Sequence, residues 1–93
     1  MGKTPNARRV ALAGEYDLSQ KEAIASLFEA LRPDGPAVID LTECTYIDST
    51  FLSELVKLRQ RFKEHPITLL GASGSVMRVL RLVHFNRLFD IPE

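Results

Sequence analysis

The run Ala37-Val38-Ile39-Asp40-Leu41 restricts the fold more than any other segment, because four of its five residues are apolar and two are β-branched. A stretch so short and apolar predicts a strand covered on both faces, hence the centre of a sheet. The chain breaks just before it at Pro33-Asp34-Gly35-Pro36, where two prolines and a glycine cannot continue a helix. After it the period changes. Phe51, Leu55, Leu58 and Phe62, with Leu52 and Val56, form a helical apolar stripe, while Glu54, Lys57, Gln60, Arg61 and Lys63 are expected on the wet side until Pro66 ends the helix.

The same alternation recurs on either side. Val10-Ala11-Leu12-Ala13 reads as a short strand closed by Gly14, and Ser19-Gln20-Lys21-Glu22 as a capping box opening a helix with Ile24, Leu27, Phe28 and Leu31 on one face. Ile67-Thr68-Leu69-Leu70 predicts another strand. Gly71-Ala72-Ser73-Gly74-Ser75 then predicts a tight connection with capping hydroxyls, followed by a helix that buries Val76, Val79, Leu80 and Val83 and leaves Arg78 and Arg81 outside. Leu88-Phe89-Asp90-Ile91 is expected to be a terminal strand or docking segment. Strands and helices alternating at this spacing imply one small α/β domain with parallel strand pairs. Its predicted core includes Ile24, Leu27, Phe28, Val38, Ile39, Leu41, Leu55, Leu58, Leu69 and Leu80. Residues 1–7 are polar and expected to be disordered, which places the domain at 8–93.

Composition removes several classes of function. Lysine plus arginine and aspartate plus glutamate balance at 12 each, so no net field argues for nucleic acid or an anionic membrane as partner. Cys44 stands alone, and only His65 and His84 supply imidazoles, with neither HxxxH nor CxxC spacing; no metal or other cofactor is expected. No apolar run is long enough to span a bilayer, no signal-peptide core is present, and Asn6 occupies the place where a myristoylation signal after Met1-Gly2 wants Ser or Thr. The expectation is a cytoplasmic protein without membrane insertion.

Tyr46-Ile47-Asp48-Ser49-Thr50-Phe51-Leu52 lies where the strand pattern gives way to the helix pattern. Ser49 there stands at or beside a helix N-cap, where free N–H groups and the positive end of the helix dipole suit a phosphate. Capping by Asp48 or Ser49 is the competing structural role, and the local sequence leaves the two open. Nothing flanks Ser49 as a Gly-x-Ser-x-Gly elbow and neither histidine has the context of a base, so no enzyme is expected. Residues 71–75 lack a Walker lysine, which makes a turn and helix cap the better reading and leaves nucleotide binding a minor alternative. Asp40 lacks the late lysine of an aspartyl-phosphate receiver, the last lysine being Lys63; bonding to neighbouring groups as its strand ends is expected instead. Arg78, Arg81 and Arg87 form a basic patch suited to solvent or to an acidic partner.

Taken in order, these residues resemble a STAS domain of the anti-sigma factor antagonist type over nearly the whole chain. Gly14-Glu15-Tyr16-Asp17-Leu18 is similar to that family's Gly-Glu-x-Asp turn, Val38-Ile39-Asp40-Leu41 to its central strand, and Tyr46-Ile47-Asp48-Ser49-Thr50 to its Asp-Ser-Ser/Thr-Gly-Leu phosphorylation motif; the apolar spacing of residues 75–91 also follows. The resemblance implies a mixed, mostly parallel sheet with helices packed against it. It further implies a protein-binding switch in bacterial transcription regulation. A cognate anti-sigma factor, itself a serine kinase, would phosphorylate Ser49, with Thr50 as second choice, and a phosphatase would reset the switch. Tyr46, Asp48, Ser49, Thr50, Phe51, Leu52, Glu54 and Lys57 would form the partner surface. Phe51 stands where the motif has glycine, His84 where the family has a late glycine, and the amino-terminal segment is short for the family's first strand. A constitutive STAS adaptor subunit of a larger assembly, such as a lipid or ion transporter, is the alternative, with a nucleotide-binding STAS module behind it.

Overall fold

The computed structural model describes residues 9–92. The expectation of disorder at residues 1–7, and whether they hold the family's first strand, lie outside the described residues. Three strands, β1 (Arg9–Tyr16), β2 (Ala37–Ile47) and β3 (Ile67–Leu70), form one sheet in the order β1-β2-β3. Every pairing among the described residues is parallel, so the antiparallel component implied by a mixed sheet is not found there. The crossovers are helices α1 (Lys21–Glu29) and α2 (Ser49–Phe62), and α3 (Gly74–Leu82) follows β3. Leu12, Ile39, Leu41, Ile67 and Leu69 are buried in a single core with Ile24, Phe28, Phe51, Leu55, Leu58, Phe62, Val76 and Leu80.

Among the described residues, one face of the sheet carries the buried core. In-register Arg9, Val38 and Thr68, then Ala11, Asp40 and Leu70, lie on the opposite face, exposed or half-buried. The central position of β2 is as predicted, but its burial on both faces is not, and Val38 leaves the predicted core. A helix stripe needs only one apolar sheet face, which Ala37, Ile39 and Leu41 supply. Leu27 is also displaced from the core, being 37% exposed at the rim of α1, and Val83 is 41% exposed where α3 has ended.

β2 runs six residues beyond the predicted strand end. Its second half pairs with β1 alone, through register shifts between Ala11 and Ala13 and between Gly14 and Glu15. Gly14, with φ of +89°, therefore sits within an irregular strand rather than closing it. The capping box also lies two residues earlier than predicted. Asp17 accepts bonds from the Ser19 N–H at 3.0 Å and the Ser19 hydroxyl at 2.6 Å, and the Gln20 side chain accepts the Asp17 N–H at 3.0 Å. A 3-10 turn, Leu18–Gln20, absorbs the difference before α1 begins.

Two arginines from α2 fasten the layers. Arg61, placed by periodicity on the wet side, donates to the Phe28 and Leu31 carbonyls at 3.0 and 2.9 Å and so closes the carboxyl end of α1. Arg59 donates to the carbonyls of Leu88, Lys63 and His65, joining α2 to the loop before β3 and to the terminal segment. That segment docks as predicted. Asp90 exchanges backbone bonds with Ile67 and Leu69 at 2.9 and 2.8 Å and forms a bridge beside Thr68 on the outer edge of β3.

Candidate functional site

The site is the junction between β2 and α2, built outward from Asp48. Asp48 has extended backbone, and its Oδ1 accepts the N–H groups of Thr50 at 2.9 Å and Phe51 at 3.2 Å. Of the two capping candidates, the Asp48 carboxylate is the cap, and Ser49 supplies no side-chain cap bond. Ser49 is the first residue of α2 and is exposed, while Thr50 is half-buried.

Phe51 fixes this display from beneath. It is fully buried, 5.9 Å from the Tyr16 ring centroid and 5.8 Å, edge-on, from that of Phe28. Phe51 thus belongs to the core and does not offer a partner contact, which corrects its place on the predicted surface. Glu54 requires the same correction. At 5% exposure it turns into the crease between α1 and α2, where its carboxylate takes an ion pair from Lys57 Nζ at 3.3 Å. The lysine compensates the charge buried there. Lys57 itself is exposed, Leu52 half-buried, and Tyr46, next to the end of β2, is 48% exposed.

Along the first turns of α2 a shallow depression of about 330 Å³ is lined by Leu18, Lys21, Thr50, Ser53, Glu54 and Lys57. Glu54 and Lys57 also line a neighbouring crease of about 380 Å³ between α1 and α2. Leu18, Lys21 and Ser53 were not singled out from sequence. Ser53 was legible, because Ser49, Ser53 and Lys57 repeat every four residues and so share one helix face; Leu18 and Lys21 reach the site only through the packing of α1 on α2.

The other candidates resolve into structural roles. Asp40 Oδ1 accepts the Thr42 hydroxyl at 2.7 Å and the Thr42 N–H at 3.0 Å, with Arg9 3.4 Å from Oδ2. These bonds, the hydroxyl's first, hold its carboxyl below the usual range; the strand continues past Asp40 rather than ending there. The buried Cys44 thiol donates to the Tyr46 carbonyl at 3.7 Å, and burial pushes its pKa up, which disfavours the thiolate. Ser73 is the N-cap of α3 yet makes no side-chain cap bond, contrary to the predicted capping hydroxyls. Gly71 instead closes that connection. It has φ of +78° and lies so close to Thr42 that an added Cβ would stand 3.0 Å from the Thr42 Cα and N. His84 adopts the left-handed conformation, with φ of +62°, at the place where the family has glycine. Among the described residues no cluster could hold a metal ion, and no helix is long and apolar enough to cross a membrane.

The described residues thus form a parallel sheet with helices on its core face, and its central strand leads into an Asp-Ser-Thr junction. The chain belongs to the family described as Mlab, STAS domain, whose model matches residues 1–90. A solved structure of the anti-sigma factor antagonist SpoIIAA in its unphosphorylated form has the same fold, with a TM-score of 0.62 over 86% of this chain and 79% of that one at 16% identity. A comparison with curated proteins finds no match.

Proposed function

We propose that this chain is a protein-binding switch of the anti-sigma factor antagonist type, which docks a cognate anti-sigma factor through the β2–α2 junction and is released when Ser49 is phosphorylated. The observation that carries this reading is the division of labour at the junction: Asp48 supplies the cap, and Ser49 stays exposed beside it. A phosphate there adds about −1.5 to −2 charges next to the Asp48 carboxylate, whose bonds already occupy two of the helix's free amides. The added group would resist desolvation in a close contact without disturbing the core beneath. The docking surface is Tyr46, Ser49, Thr50, Ser53 and Lys57, with Asp48 shaping it and Leu18 at its margin. This role is one of binding, not catalysis, in a bacterial, cytoplasmic setting.

The test uses a cognate anti-sigma factor kinase, sought among the products of neighbouring genes. With ATP it should label the wild type and not Ser49→Ala; label retained in that variant would move the site to Thr50. Calorimetric titration should then rank affinity as wild type, Ser49→Ala, Ser49→Asp, with the phosphoprotein weakest.

A second reading has its own support: the matching family carries the description Mlab, STAS domain rather than that of an antagonist. In this reading the same surface holds a constitutive adaptor within a larger assembly, without phosphorylation. Equal affinity of wild type and phosphoprotein for the partner would favour it. Phe51 does not discriminate between the two readings, because its side chain does not reach the surface.

A further inference from the structure

We propose that Glu54 is the receptor for a guanidinium carried by a partner protein: an arginine side chain that enters the crease between α1 and α2 and takes the place of Lys57. The ligand chemistry follows from Glu54 and does not depend on phosphorylation. Its assignment to the partner's interface rests on the reading above, since Thr50, Ser53 and Lys57 belong both to that surface and to a depression that Glu54 lines.

A carboxylate this deeply enclosed is best held by charge-assisted bonds to both oxygens. Glu54 has less. It is 5% exposed, and its ion pair is with Lys57, whose side chain is 63% exposed and whose Nζ stands 3.3 Å from Oε2. That is longer than the about 2.7–2.9 Å usual for such a bond. Oε1 accepts no hydrogen bond from the described residues, and none of their buried side-chain polar atoms is left without a partner, so Oε1 meets the open space of the crease. Glu54 and Lys57 line both the crease and the depression beside it, which therefore adjoin at this carboxylate.

An acceptor-only group calls for a donor cation, and a planar guanidinium engages both oxygens at once, whereas the lysine on the same helix reaches one. The other charges favour the exchange. Arg61 is committed to the Phe28 and Leu31 carbonyls, and Glu29 adds a second carboxylate to the crease, so displacing Lys57 leaves two carboxylates to one guanidinium. Lys21 lines only the depression toward the junction, which directs the cation to the side of Glu29. Ala25, Phe28 and Leu58 supply apolar walls for the stem of the incoming side chain and its neighbours, which suits a protein segment better than a free polyamine.

The experiment titrates the uniformly 15N-labelled full chain with a short blocked alanine/leucine peptide carrying one arginine. The same peptide carrying citrulline, and agmatine, are run in parallel. The expected result is saturable amide shifts at Glu54, Lys57 and Leu58 with the arginine peptide, and binding about tenfold weaker with either comparison ligand. Glu54→Gln, nearly isosteric and so compatible with an intact fold, should lower the affinity about tenfold; Glu29→Gln should lower it less, and Lys57→Met should raise it. Absence of saturable shifts, equal binding of the citrulline peptide or of agmatine, unchanged affinity in Glu54→Gln, or a fall in Lys57→Met would each overturn the proposal. Neither kinase nor anti-sigma factor enters this titration, so its failure is read separately from a failure to label Ser49.

Discussion

Of the three strand-to-helix junctions at the carboxyl end of this sheet, those after β2 and β3 are closed by different means. At β2–α2 a side chain does the work: Asp48 bonds two amides of the first turn, and Phe51 anchors that turn in the core. At β3–α3 the backbone does it, with Gly71 pressed against Thr42 and Ser73 contributing no side-chain bond. The first arrangement fixes the helix start while leaving the next hydroxyl exposed. The second needs a residue without a Cβ and presents no comparably held side chain. A parallel sheet offers such sites at each strand's carboxyl end, and the proposed switch places the modified residue at the one after β2.

The comparison predicts an ordered series of stability losses, measured by chemical denaturation. Phe51→Ala should be the most severe, at about 3–5 kcal/mol, because it empties a fully buried aromatic site. Gly71→Ala should cost about 1–3 kcal/mol through its positive φ and its approach to Thr42. Asp48→Ala should cost about 1–2 kcal/mol, whereas Ser73→Ala should change little. Equal losses from these last two would erase the proposed difference between the junctions.

The smallest effect is in pH dependence. Because its native pKa is lowered, Asp40 contributes stability that is present above the unfolded carboxylate pKa and is lost as pH falls through the native one. Asp40→Asn should accordingly flatten the acid limb of the stability profile while leaving the Asp48 cap intact. An unchanged acid limb would show that the Thr42 bonds do not favour the charged form.

The periodicities of residues 51–62 and 67–70 located α2 and β3 because each packs one apolar stripe against a single core. Beyond Leu41 the signal failed for β2. Thr42, Glu43, Thr45 and Tyr46 are exposed there, since that half of the strand lacks β3 as a neighbour and bends through register shifts with β1. Glu54 followed a polar pattern outward, whereas it lies buried in the crease between α1 and α2, paired with exposed Lys57. Ser49 was legible as a candidate, yet its accessibility depended on which of two adjacent residues took the cap, and that choice is set by backbone geometry rather than composition.

The parallel pairing also governs how the molecule must assemble. Strand partners such as Arg9 with Val38 and Ala37 with Ile67 lie roughly thirty residues apart, so the described sheet cannot start from a hairpin. Each pairing closes a long loop, and the entropy of that closure slows the search relative to a fold built on neighbouring contacts. The intervening helices shorten the loops by condensing them. Arg61, which ties α2 to the end of α1, is then a contact between the two crossovers, and its loss is expected to slow refolding as well as hasten unfolding.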